Sequence, residues 1–129
     1  MVDTIDTKFS ELSLKKCTGL LAFRTNIDWI AKFNEDINRA LTSKYSFLGD
    51  LQRDITPTEC TFKCQLIKNG TKSPSGYALV CMEIKDNNTD KFNEEINKKL
   101  SFSYIPLGEL VEFRVGDKLF FQRELVRFT

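Results

Sequence analysis

Apolar positions change their spacing along this chain twice, in the same order each time. Short apolar runs at 17–24 and 77–84 are rich in residues that suit an extended backbone, which predicts strands buried on at least one face. After each run the apolar residues fall into helical steps. Ile30, Phe33, Ile37 and Leu41 follow steps of three, four and four, and Phe92, Ile96 and Leu100 follow steps of four. Thr25 or Asn26, and Asn88 or Thr89, are suited to cap these helices. Glu35–Arg39, Glu94–Lys98 and Glu95–Lys99 have the favoured i,i+4 orientation for an outer helix face. Gly49 and Gly108 follow the helices. Two strands joined by a tight turn then complete each stretch, about 50–56 with 60–68 and 109–115 with 118–128.

The two stretches share text as well as pattern. KFNEDINRALTSKYSFLGDL (Lys32–Leu51) and KFNEEINKKLSFSYIPLGEL (Lys91–Leu110) lie 59 positions apart and are identical at 11 of 20 positions. Composition alone predicts about one or two such matches. The register continues: residues 61–68 fall on 120–127, pairing Phe62 with Phe121 and Leu66 with Leu125. Pro57-Thr58 falls on Gly116-Asp117, two different turn-forming pairs, and upstream GLLAFR (19–24) falls on ALVCME (78–83). Residues 1–129 therefore read as one domain made of two strand–helix–strand–strand units, about 11–69 and 70–129, behind a flexible tail over 1–10. The expected class is α+β, an antiparallel sheet with two helices packed on it. A sixty-residue unit buries too little surface to stand alone. Two units mating across a pseudo-two-fold close a shared core and leave a groove between them, a common place for a ligand. A ferredoxin-like or dimeric α+β barrel arrangement is the rival fold.

Composition narrows the function. Eleven Phe supply a core, and Lys plus Arg exceed Asp plus Glu by one (19 − 18), which gives no electrostatic case for nucleic acid or an anionic membrane. The first residues contain no apolar signal core and no run approaches membrane-spanning length, so cytoplasm is the expected location and a monomer is plausible. Cys17, Cys60, Cys64 and Cys81 read as free buried thiols rather than a disulfide framework. Cys60 and Cys64 share a strand face about 13 Å apart. With no histidine in the chain, neither a metal site nor nucleophile–histidine catalysis is expected, and no cofactor is.

Carboxylates remain as candidate chemistry. Val111, Phe113 and Val115 take one face of their strand, so Glu112 and Arg114 take the other. A solvated face is the plain reading. If that face lines the groove, Glu112 suits a cationic or polar ligand. Glu83 and Glu124 are the other strand-borne acids. Trp29, Tyr77, Tyr104 and Phe23 read first as core or helix-edge packing and second as groove wall. Lys32, Arg39, Lys98 and Lys99 are matched by acids and read as a solvated helix face.

Three segments, KKCTGLLAFRTNIDWIAKFNEDI, SGYALVCMEIKDN and GELVEFRVGDKLFFQRELVRF, resemble the opening, the second-unit start and the closing hairpin of the gyrase-inhibitor-like (GyrI-like) small-molecule-binding superfamily. The likeness implies a duplicated module binding small aromatic or cationic molecules between its repeats. Glu112 then matches the groove carboxylate and Trp29 an aromatic after the first-strand loop. RTNID replaces the superfamily's Gly-Pro-like loop, and the compact chain implies a reduced pocket. The expectation is a non-enzymatic binding or regulatory domain with Glu112, Trp29, Tyr77 and Tyr104 around its ligand. The alternatives are a module that inhibits or adapts a partner protein, and a small hydrolase pairing Glu112 with Glu83 or Glu124.

Overall fold

A computed structural model describes residues 11–13, 19–68 and 74–128. The expected tail over 1–10 and Cys17 lie outside the described residues. The chain runs β1 (Glu11–Ser13), β2 (Leu20–Asn26), α1 (Ile30–Thr42), β3 (Tyr45–Phe47), β4 (Gln52–Ile55), β5 (Cys60–Lys68), β6 (Gly76–Ile84), α2 (Asp90–Ser101), β7 (Ile105–Val115) and β8 (Lys118–Arg127). The class is α+β, with antiparallel strands divided between two sheets rather than joined in one. The first sheet has the order β1-β2-β5-β3, with β4 also on β5, and the second has the order β6-β8-β7.

Each helix is followed at once by a strand, earlier than the glycines suggested. Lys44 and Ser103, both at φ 72°, end the helices in the left-handed conformation that glycine usually supplies. Gly49 (φ 80°) and Gly108 (φ 79°) instead sit where the next strand breaks. In the first half the break separates β3 from β4, and in the second it is a bulge between Leu107 and Val111. Cross-strand partners keep the 59-residue spacing: Phe47 faces Leu66 as Pro106 faces Leu125, and Gln52 faces Lys63 as Val111 faces Gln122. The first strand of each half departs from it. Leu20 faces Ile67 whereas Tyr77 faces Val126, so β2 and β6 correspond at 57 residues and Gly19 falls on Gly76. The two-residue difference lies in the connection to the helix. A 3-10 turn at Ile27–Trp29 serves the first half, and a turn over 85–89 with Asp86 and Asn87 at positive φ serves the second.

The expected two-fold does not describe how the halves meet. Alternation along β5 puts Phe62, Cys64 and Leu66 on the face that receives Phe33 and Ile37 of α1. Alternation along β8 puts Phe121 and Leu125 on the face that receives Phe92 of α2, whose ring lies 5.6 Å from that of Phe121. The core between the sheets joins Phe62, Cys64 and Leu66 to Tyr77, Leu79, Phe113, Phe120 and Val126. Those second-sheet residues lie on the face turned away from α2. The helix-bearing face of one half therefore packs on the helix-free face of the other, head to tail. Apolar content is the physical reason. Phe113 and Phe120 have Asp54 and Thr61 as their counterparts, 59 positions earlier, so the helix-free face of the second sheet carries two aromatic rings that the first sheet lacks. Each buried Phe contributes about 1.5–3 kcal/mol.

α1 completes the seam by lying alongside β6, the edge strand of the second sheet. An edge strand exposes a row of backbone donors and acceptors that burial would leave unsatisfied. Asn34 accepts from Leu79 N (2.9 Å) and donates to Leu79 O (3.1 Å). Asn38 does the same with Tyr77 N (2.8 Å) and Tyr77 O (2.9 Å). Residues four apart on a helix and two apart on a strand are spaced alike, both at about 6–7 Å. The helix thus continues the sheet with side-chain amides. The helix ion pairs differ from expectation: Lys32 (2.9 Å, i,i+4) and Arg39 (3.1 Å, i,i+3) both reach the buried Asp36, and no Glu35–Arg39 pair forms among the described residues.

Candidate functional site

Most of the seam is filled. Phe47 meets Tyr77 at 5.2 Å between ring centres, Phe62 meets Phe113 edge-on at 6.4 Å, and Phe113 stacks on Phe120 at 5.5 Å. Arg53 lies over the Phe113 ring at 5.3 Å and donates to Gln122 Oε1 at 2.8 Å, crossing from one sheet to the other. Among the described residues these rings fill the centre of the seam, with Phe47–Tyr77 and Phe62–Phe113 joining the two sheets.

The seam opens at one end. There the end of β2, the start of β5, the end of β6 and the β7–β8 turn surround a cavity of about 690 Å³. Asp28, Glu59 and Glu83 supply carboxylates, and Lys85, Lys91 and Lys118 supply ammonium groups. Cys60, Cys81, Val115 and Phe120 form its apolar wall. Asn26 fixes the approach to α1 by accepting from Asp28 N (2.9 Å). The neighbouring turns pack closely: a Cβ on Gly116 (φ 64°) would meet Pro57 O at 3.2 Å. Burial pushes the Cys60 thiol up to about 11, and the Cys64 and Cys81 thiols up to about 12. These thiols are protonated at neutral pH and poor nucleophiles.

A second polar feature lies deeper in the seam. Tyr77 donates its hydroxyl to Glu124 Oε2 at 2.7 Å. Burial, first, and then the Glu124 charge raise the Tyr77 phenol well above its usual range. Burial raises the Glu124 carboxyl, the Tyr77 hydrogen bond pulls it back, and Asp50 adds to the rise.

The four residues expected around a ligand are not brought together. Tyr77 is in the seam and fully buried. Glu112 is exposed on the α2 side of β7, turned away from the seam. Tyr104 lies on that same side, with Arg127 (5.0 Å) and Lys99 (5.8 Å) over its ring, and Gly76 leaves room for its hydroxyl. Trp29 is 50% exposed at the start of α1, next to Asp28 of the cavity but not lining it. Glu112 also faces opposite to Glu83 and Glu124, which removes the carboxylate pairs that a Glu112 hydrolase requires. Sequence reasoning missed Asp28, Glu59 and the three lysines, because the cavity is assembled from five chain segments, Lys91 coming from the start of α2. It also missed the Asn34/Asn38 pair, although the same residues recur as Asn93 and Asn97.

Comparison with protein-family models, with curated proteins and with solved structures finds no match for this chain. Among the described residues no helix is long and apolar enough to cross a membrane.

Proposed function

We propose that the chain is a non-enzymatic binding module that holds a small molecule in the cavity at the open end of the seam. One observation carries this reading: a cavity of about 690 Å³ with charged groups from both halves around an apolar wall. Ligand sites usually measure roughly 300–1,000 Å³ and combine apolar walls with a few convergent polar groups. Three acidic and three basic residues lining one cavity favour a ligand that carries a cation, and an anion or acceptor beside it. Phe120 supplies the apolar contact for its body. In the same proposal the halves are related units stacked head to tail, and the motifs resembling the gyrase-inhibitor-like superfamily support a ligand at their junction. A thermal-shift screen of aromatic amines and amino-acid-like zwitterions tests it. Stabilisation that disappears in Glu59→Gln/Glu83→Gln, but persists in Glu112→Gln, is the expected result. No stabilisation by any such compound, or stabilisation indifferent to the Glu59/Glu83 change, removes the reading.

The second reading, a module that inhibits or adapts a partner protein, is favoured by exposed apolar side chains after the second helix begins. Leu100, Phe102, Ile105, Leu107 and Leu110 are all exposed. Ile105 and Leu107 share the face of β7 turned from α2 and Leu100 lies on α2 itself, so these are two exposed apolar surfaces, and such surfaces commonly mark contacts.

A further inference from the structure

α1 and α2 have the same asparagine pair, but only one pair is used. Asn34 and Asn38 satisfy the free edge of β6 through four hydrogen bonds. Asn93 and Asn97, at the same positions of α2, are exposed. Asn93 reaches only Thr89 Oγ1 (3.2 Å), and Asn97 has no hydrogen-bond partner among the described residues.

The direction of this flank follows from the helix period of about 100° per residue. Phe92 and Ile96 point into the second sheet, and Glu95 and Lys99 line the side facing β6 and α1. Asn93, Asn97 and Leu100 fall on the opposite flank, which overlooks β8 and β7. In the first half the same flank meets the second sheet, and Leu41, the counterpart of Leu100, is buried there. In the second half none of the described residues lies in that place, and Leu100 is 41% exposed. Below the flank, Phe121 and Leu119 are half-buried.

Resting on the second reading above, we infer that the Asn93/Asn97 flank of α2 is a docking site for an extended acidic segment of another protein, whose free backbone edge the two amides cap as Asn34 and Asn38 cap β6. The acidic character follows from the floor. Tyr77 of β6 packs in the core cluster that contains Cys64. Cys64 has Arg123 as its counterpart 59 residues on, so a segment docked like β6 sets its Tyr77 position above a guanidinium. Arg123 Nη2 donates to Gly108 O (3.1 Å), but its buried Nε has no acceptor. Arg114, exposed on the same face, adds a second cation, and with Glu112 the one exposed acid of β7 on that face the floor keeps a cationic excess. A second copy of this chain does not fit. The face it would present, the outer side of the first sheet, has Arg24 opposite Lys63, and the edge of β2 is already paired with β1.

The test uses fluorescein-labelled decapeptides with the sequence of residues 75–84, one unaltered and one with Tyr77→Glu, in reducing low-salt buffer with the full chain. Both bind saturably, the Tyr77→Glu peptide at least fivefold tighter. Asn93→Ala/Asn97→Ala weakens both at least tenfold while its Tm stays within about 2 °C of the parent, and light scattering shows a monomer throughout. Binding unaffected by the double substitution overturns the site but leaves protein interaction through another face standing. Dimerisation over the same concentration range overturns it in favour of a second copy. Absence of any peptide binding overturns it outright.

Discussion

Five residues of α1 are buried, Phe33, Asp36, Ile37, Ala40 and Leu41, whereas α2 buries only Phe92. The helices share most of their sequence, so the difference comes from position in the molecule. α1 lies between its own sheet and the edge of the next one. α2 covers the outer face of the last sheet and has solvent beyond it. The outward faces differ from the inward ones in the same sense. Cys64 inside the seam has Arg123 as its counterpart outside it, and Phe113 and Phe120 inside have Asp54 and Thr61 outside. The two stretches thus differ at the positions that burial treats differently.

The largest expected effect tests that asymmetry directly. Phe62→Ala in the seam is expected to cost about 3–5 kcal/mol in urea unfolding, and the matched Phe121→Ala, half-buried under α2, about half as much. Equal losses would show that the two helix-bearing faces are equally covered. Next, Asn34→Ala/Asn38→Ala strands backbone groups of Tyr77 and Leu79 inside the seam and is expected to cost about 2–4 kcal/mol. The matched Asn93→Ala/Asn97→Ala is expected to stay within about 0.5 kcal/mol, as exposed substitutions do. A comparable loss from both pairs would mean that α2 also caps an edge in the isolated chain.

The smallest effect concerns Glu124, whose counterpart in the first half is Gln65. Burial raises its carboxyl in the folded state above the unfolded value. The folded chain therefore holds that proton more firmly, and stability falls as pH rises through the folded pKa. Glu124→Gln keeps an acceptor for Tyr77 and removes this penalty. Its Tm is expected to exceed the parent's by a few degrees at pH 8, with the gain shrinking towards zero at pH 4. A gain independent of pH would place the carboxylate in water rather than in the seam.

Much of the fold was legible. Helical steps located Phe33, Ile37 and Phe92 correctly because large apolar residues at that period have few other uses. The 59-residue register also survives in the β5 and β8 ladders. The early strands at Tyr45 and Ile105 were not legible, because Lys44 and Ser103 hold the left-handed turn in place of the expected glycines. The candidate site was less legible still. Strand alternation separated Glu112 from Phe113 correctly, but could not say which face the other half would cover.

Local chemistry, then, was determined by the chain's own order of residues: which stretches are helix or strand, which side of each is apolar, and that residues 32–51 and 91–110 share 11 of 20 positions. Tertiary structure alone decided that unlike faces meet, that Asn34 and Asn38 cap a strand edge while Asn93 and Asn97 do not, and that the cavity lies at one end of the seam. The reason is range. Hydrogen bonds and hydrophobic periodicity within an element are set by neighbours a few residues away. The pairing of faces depends on the total apolar area that each possible assembly removes from water, a quantity no single segment contains.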